Sequence, residues 1–371
     1  YTESLNKKIG FLALLILIIF FPPLLLIVGV FFNYQYGSGY FATRLFFSSY
    51  LGLINCKKVH ESDLLGYYYS YNSAIDKSIS DILQEPGYYL LEYVFRTLDF
   101  PFTLFLFLLT FSSYMLIFRA AINFCTKYQI SSDLFLILML GYFVNIFTLS
   151  GHLLRQFGAM SLIVYGLSLK NPKERLALTL MAGLTHTSSL LLLPIVIVSF
   201  NFNLKRLLSV CIVATGLAFV LITFSGILID IPLVGYVLKR LLSGVDSFTT
   251  VESIGRSSYY FLGLLFTLNI VNAFMAKNRF APKAFFIYVA LHVLLVWMLS
   301  FINDLLAYRY FHYLLVLSPF VFVQFLSQTR NGPILYGCRV LFIVFLIFHF
   351  YYTIDNGMWD YGGLYNVITI L

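Results

Sequence analysis

His152, Arg155, Gln156 and His186 lie within residues 150–189, SGHLLRQFGAMSLIVYGLSLKNPKERLALTLMAGLTHTSS, where apolar side chains otherwise dominate. Ionisable groups are costly to hold near a bilayer core, so by default they mark a site or a pathway. A helix capped by Ser150 and running over residues 151–169 would carry His152, Arg155, Gln156 and Ala159 on one face of its first turns. Its N-terminus would offer free N–H groups, the positive dipole end and the five donors of a guanidinium. That combination suits a phosphate or pyrophosphate. Gly158 and Ala159 leave room for close approach. The plainer alternative is an arginine snorkelling to the interface, as at many span ends. The Arg-Gln pair with a histidine one turn earlier favours a site. His186 stands among Thr185, Thr187 and Ser188. A lone histidine there is more often a hydrogen-bonded structural group than a catalyst.

The elements that must hold these residues are membrane helices. The chain has 371 residues, 60% hydrophobic and 19% aromatic, and only 11% are charged. Soluble domains carry about 25% charged residues, so this is a polytopic all-α membrane protein. Forty Phe and 28 Tyr suit its aromatic interfaces. The net charge of +8 comes without a Lys/Arg run or an RNA-binding motif. Positive-inside bias and anionic lipid account for it better than nucleic acid does. Cys56, Cys125, Cys211 and Cys338 are far apart with no CxxC, which gives neither a metal cage nor a disulfide framework. No DxD, P-loop or GxSxG element falls in a usable context, which argues against a nucleotide-sugar enzyme or an NTPase.

Taken in order, residues 10–32 read as an uncleaved first span, started in the cytoplasm by Lys7 and Lys8. Residues 33–86 form an external loop with an interfacial helix over 41–53. A second surface helix follows at 87–98. Asp99 as cap and Pro101 in the first turn then open a span to about Arg119. Residues 134–149 return outward, 151–169 come in, and Lys170–Arg175 is the clearest cytoplasmic loop. Residues 176–200 are either one span or a hairpin of two short helices with His186 at its tip; Lys/Arg placement favours the hairpin. Beyond it come a span over 207–229, an external loop over 230–256, and spans over 257–276, 284–301, 310–326 and 334–352. That makes about eleven segments in a single domain, residues 1–371.

Arg44, Lys57, Lys58, Arg155, Lys239, Arg240, Arg256 and Arg309 fall on the predicted outer side, where the positive-inside rule disfavours them. Long loops escape the rule, but Arg155 and Arg309 sit in short turns, and an anionic ligand at the outer leaflet would explain them. Asp63, Asp76, Asp81, Glu85, Asp304 and Asp355 are the acids on that side from which a catalytic base would come. Asp304 could equally pair with Arg309.

Leu154-Arg155-Gln156-Phe157-Gly158-Ala159 resembles the Arg-Gln-x-x-Ala motif of EpsG-like membrane proteins, which group with the Wzy-type O-antigen and capsule repeat-unit polymerases. His186-Thr187-Ser188 resembles the family's His-x-Ser. Asp63-Leu64-Leu65-Gly66-Tyr67 looks like its Asp-x-x-x-Tyr, and Glu85-Pro86-Gly87-Tyr88 like its Glu-Pro-Gly-aromatic helix opening. Arg309, Tyr310 and Tyr313 resemble a late Arg/Tyr element. His152, where a small polar residue is expected, and the long segment 33–60 depart from the pattern. The resemblance implies a GT-C-like glycosyltransferase bundle in the bacterial inner (plasma) membrane, with an active site facing the periplasm or outside. The implied reaction joins undecaprenyl-pyrophosphate-linked oligosaccharides, with no cofactor or metal. In it Asp63 is the leading base, His186 its rival or partner, and Arg155 and Arg309 stabilise pyrophosphate. His152, Gln156, Tyr67, Tyr313 and Arg256 bind substrate. A chain-length regulator as partner is implied by the resemblance alone. The rival readings are a lipid-linked oligosaccharide flippase or exporter, and another GT-C-like lipid-linked sugar transferase or ligase.

Overall fold

A computed structural model describes residues 40–128, 130, 133–200, 256–275, 283–301, 304–328, 333–356 and 361. Regular structure among them is entirely helical. The order is α1 (Phe41–Cys56), α2 (Ser62–Asn72), a 3₁₀ turn (Ala74–Asp76), a single turn (Ile79–Ile82), α3 (Pro86–Thr97), α4 (Phe102–Tyr128), α5 (Asp133–Tyr142) and α6 (Val144–His152). Then follow α7 (Leu154–Ser168), α8 (Pro172–Thr185), a 3₁₀ segment (Thr187–Leu192), α9 (Leu193–Phe200), α10 (Arg256–Met275), α11 (Lys283–Ser300), α12 (Asp304–Gln328) and α13 (Pro333–Asp355). The expected first span over 10–32, the span over 207–229 and the loop over 230–255 lie outside the described residues.

Three described stretches are long and apolar enough to cross a membrane: Phe102–Tyr128, Leu306–Ser327 and Tyr336–Asp355. Leu134–Tyr142 with Val144–His152 makes a fourth if the pair, bent by 55°, is one span. The protein is therefore membrane-embedded. α4, with 27 residues, reaches about 40 Å, past the roughly 30 Å hydrocarbon core and well past Arg119. α12 is central, with 78% of its apolar window buried, while α13 is peripheral at 22%. The outward side chains of α13 (Leu341, Val344, Phe345, Phe348) are themselves apolar, as a lipid-facing helix requires.

Several local expectations give way. The segment expected on the interface at 41–53 instead runs antiparallel along α4. Phe47 stacks on Phe118 at 5.3 Å, a Cβ at Gly52 would meet the Phe107 ring at 2.9 Å, and the Cys56 thiol donates to the Thr103 carbonyl at 3.2 Å. Ser150 does not cap a helix. It lies inside α6, donates to the Phe147 carbonyl at 2.6 Å, and the chain breaks only at Leu153 (φ −115°, ψ 57°). His152 therefore ends one helix and Arg155 begins the next, so they do not share a face. Asp99 is not a cap either. It takes the left-handed conformation (φ 55°) and pairs with Arg96 at 2.8 Å, closing α3. Arg309 and Asp304 both belong to α12 rather than to a turn, and Asp304 is exposed.

Residues 176–200 do break at His186, whose backbone is extended (φ −149°, ψ 109°). The 3₁₀ segment and α9 pack back against α8. This is the folded-back arrangement of the hairpin. α3 carries an inverted pattern: Glu92 and Tyr88 are buried, while Leu90, Leu91, Val94 and Leu98 are exposed. With Leu64, Tyr71, Phe102, Phe105, Leu106 and Leu154 it forms a small second core over the start of α4 and α7.

Candidate functional site

Glu85 anchors the site. It immediately precedes α3, where Pro86 takes a position whose N–H would have no helical partner anyway. Gly87 is needed next. A Cβ there would lie 3.1 Å from both the carbonyl carbon and oxygen of Leu184, so that backbone would have to give by a few tenths of an ångström. Without a side chain the first turn of α3 rests directly on the end of α8, and Glu85 comes opposite His186.

The Glu85 carboxylate is fully buried and serves two partners. Its Oε2 accepts a short ionic hydrogen bond from the Arg155 guanidinium. Its Oε1 lies 2.6 Å from His186 Nδ1 and 3.4 Å from the Thr187 amide nitrogen, which donates to it. Arg155 also donates to the Tyr89 hydroxyl at 3.1 Å. The guanidinium carbon sits 5.3 Å from the Tyr67 ring centre and 5.8 Å from those of Tyr88 and Tyr89, within cation–π range. Tyr89 leads on to a second buried pair, with Lys77 Nζ 4.1 Å from its ring. Lys77 in turn makes a short bond to Glu92, which accepts from Ser70 at 2.9 Å.

Burial acts to raise the Glu85 pKa. The hydrogen bond and charge of His186, with those of Arg155, outweigh it and hold the carboxyl below its ordinary 4.5. An ionised carboxylate only accepts, so His186 Nδ1 is the donor. In the neutral ring Nε2 then carries the lone pair, and among the described residues Nε2 is buried with no hydrogen-bond partner. The Ser188 hydroxyl beside it is in the same state. A carboxylate that fixes one imidazole nitrogen and leaves the other unengaged is the arrangement of a general base.

Most of the residues expected at a site gather here. Gln156, 3% exposed, donates to the Arg309 carbonyl at 2.6 Å. The Tyr313 hydroxyl shares a hydrogen bond with Ser189 at 2.6 Å, and that of Tyr310 donates to the Ser188 carbonyl. Together these tie α12 to α7 and to the segment after His186. Arg309 itself is partly buried. His152 belongs to a neighbouring node, with its Nε2 2.6 Å from Lys58 Nζ. Lys58 also donates to the Gly151 carbonyl at 3.1 Å. Asn55 sits beside them, donating to Ser150 at 2.6 Å and Thr110 at 3.1 Å and accepting from Tyr361 at 3.0 Å. Burial brings the Lys58 amine down to about 7, against the opposing charges of Asp63 and Glu61.

Asp63 is exposed in the first turn of α2, near enough to Lys58 and Tyr67 to act on them electrostatically. The acid that reaches Arg155 and His186 is Glu85. Arg256 opens α10, and its side chain lies outside the described part. Among the described residues no three His, Cys, Asp or Glu side chains gather into a metal-binding group. Sequence reasoning gave no role to Tyr89 or Asn55, counted Lys58 only among the outer-side cations, and met Glu85 as one acid among six and as the opening of the Glu-Pro-Gly-aromatic element, without a site role. The one mark on Glu85 was its place directly before Pro-Gly at a helix start, which signals the turn but not the burial.

Residues 41–362 match the EpsG family, a range that includes every residue of this cluster. No curated protein and no solved structure matches the chain. With most of its length covered, the chain belongs to the EpsG family, whose members are like the Wzy-type polysaccharide polymerases.

Proposed function

We propose that this membrane protein is a glycosyltransferase that joins undecaprenyl-pyrophosphate-linked oligosaccharide units into polysaccharide. On this reading it does so at the outer face of a bacterial inner or plasma membrane. The observation that carries the proposal is the buried Glu85 carboxylate, which holds the Arg155 cation and the His186 imidazole together and leaves Nε2 unengaged. A hydroxyl of the incoming unit attacks the anomeric carbon of the growing chain. The bond from that carbon to the pyrophosphate oxygen breaks, and the lipid pyrophosphate leaves with the bonding electrons. His186 Nε2 takes the hydroxyl proton, and Glu85 stabilises the imidazolium that forms. The remaining donors of Arg155, with Arg309, face the charge that develops on the leaving group. Tyr67, Gln156 and Tyr313 shape the site, and Asp63 is a second carboxylate at its rim. No nucleotide is required, because the lipid pyrophosphate is already a good leaving group. About eleven segments in a GT-C-like bundle open to the outer leaflet remain our reading of the whole chain.

The test is purified full-length protein with a synthetic lipid-pyrophosphate repeat unit, followed by gel analysis with and without chelator. Wild type should give a ladder, and R155A and H186A should give single units only. A full ladder from R155A would sink the assignment. In cells, loss of a polymerase leaves single units at the surface. Loss of a flippase strands them on the inner leaflet.

A further inference from the structure

A second cationic site lies along the same helices, removed from the first. It is a cleft of about 500 Å³ lined by Arg44 of α1, by Phe111, Ser112, Met115, Leu116 and Arg119 of α4, and by Tyr165 of α7. The five α4 residues recur at helical spacing, so they form one stripe about 12 Å long that ends in the Arg119 guanidinium. Tyr165 lies ten residues beyond Arg155, about 15 Å along α7. Farther along α4 Lys127 donates to the Leu169 carbonyl just past α7, and Arg175 donates to the same carbonyl. This is the basic end of the bundle, which the positive-inside rule assigns to the cytoplasm; the packing of α1 along α4 brings Arg44 here beside Arg119, not to the outer side expected for it.

Two features separate the cleft from a pair of arginines snorkelling to an interface. Arg44 is only 7% exposed, so it cannot be reaching into bulk water, and its Nε is buried with no hydrogen-bond partner. Among the described residues no carboxylate lines the cleft, and neither Arg44 nor Arg119 has an ion pair. The Phe41 ring lies 5.6 Å from the Arg44 guanidinium carbon, and Tyr165 is near enough to act on it electrostatically. Two guanidiniums sharing one cleft repel each other in low dielectric unless an anion lies between them. The aromatic and aliphatic stripe beside them offers that anion an apolar tail-binding surface and a tyrosine hydroxyl at its head.

We propose that this cleft binds an anionic membrane phospholipid, its phosphate between Arg44 and Arg119 beside Tyr165 and an acyl chain along Leu116, Met115 and Phe111. The site is independent of the polymerase reading, because none of its residues belongs to the Glu85 cluster. Anionic lipid is enriched in the cytoplasmic leaflet, the face to which the charge bias points. The lipid would fix the height of α1 and α4 in the bilayer at the end away from the chemistry.

The experiment is native mass spectrometry of the full chain, comparing retained phosphatidylglycerol with retained phosphatidylcholine. Unfolding temperatures in nanodiscs of each lipid are measured in parallel. Wild type should prefer phosphatidylglycerol by roughly tenfold or more, the value of a charge-assisted hydrogen bond. R119Q and R44Q should lose that preference, while K173Q, a neighbouring exposed lysine, should keep it. Should R44Q fail to fold, R119Q at the exposed rim carries the test alone. Equal retention of both lipids by wild type overturns the proposal, as does an unchanged preference in R119Q. An equal loss in K173Q overturns it too, because the effect is then diffuse surface charge. Complete displacement of the lipid by millimolar inorganic phosphate reassigns the cleft to a free anion and also overturns it.

Discussion

α7 runs between two arginine environments of opposite kind. Near its start, Arg155 is paired: a buried carboxylate, a tyrosine hydroxyl and three aromatic rings surround it, while its Nε stays free among the described residues. Near its end, Tyr165 shares a cleft with Arg44 and Arg119, where no acid is present among the described residues. A guanidinium paired this way is first a positioning device, because Glu85 consumes one edge of it and is thereby fixed against His186. An incoming pyrophosphate can use only the donors that remain. Two guanidiniums without a carboxylate among the described residues have the reverse character and call for a counter-charge from beyond that set. Buried charges pair because desolvation is otherwise uncompensated, so the two environments call for different ligands.

The largest expected effect comes from breaking the paired end. E85A leaves Arg155 without its carboxylate and His186 without its anchor. It should abolish the ladder and destabilise by about 3–5 kcal/mol, toward the lower figure because Arg155 keeps 21% exposure. E85A/R155A should cost clearly less than the sum of the two single variants in thermal unfolding. Strict additivity would show that the two side chains are not coupled and would erase the contrast with the open cleft.

Next is H186A, which should lower polymerisation by roughly 10²–10⁴-fold, as loss of a general base does, with a small effect on unfolding. D63N is its counterpart. If D63N removes activity and H186A does not, the base is the exposed carboxylate and Glu85 is structural. G87A should cost about 1–3 kcal/mol, because its Cβ crowds Leu184 backbone that would have to give by a few tenths of an ångström. G66A, in α2 with nothing within 4 Å of the added carbon, should be neutral or stabilise by up to about 1 kcal/mol. Equal effects in the two variants would remove the close approach as the reason Glu85 reaches His186.

The pH response is smaller and has a definite sign. The folded Glu85 pKa lies below its ordinary 4.5, so its contribution is fully present above about pH 4.5. That contribution is lost as pH falls through the lowered folded value. Unfolding temperature should therefore drop over that acid range in wild type, and E85Q should flatten that part of the curve. Smallest of all, R119Q should change stability in zwitterionic lipid by no more than about 0.5 kcal/mol, since Arg119 is exposed and has no ion pair among the described residues.

Much of the architecture was legible because its causes are local. Apolar run length gives α4, α12 and α13. The stretch 170–175, expected as a loop, instead holds the first turn of α8, where the Asn171 side chain accepts from the Lys173 amide at 3.0 Å. The polar Thr-His-Thr-Ser run marks the break at His186. Three further features were not legible. Ser150 looks like a cap, yet α6 continues through it, because its hydroxyl is engaged by Phe147 and Asn55 instead. The segment over 41–53 looks interfacial, yet it packs along α4 through Gly52 and Phe47.

The third feature is the choice of acid, and it separates sequence from tertiary structure most sharply. By itself the sequence determined a membrane-embedded helical protein, its Arg-Gln and His-x-Ser residues, and six acids on one predicted side. It could not rank those acids, because charge and type are the same for a solvated carboxylate and a buried one. Only the fold brings Glu85 to His186 and Arg155, across separations of 101 and 70 residues. It does so where α3 meets the end of α8 over a glycine. Burial then makes the pairing count, since a carboxylate removed from water must find its partners within the chain.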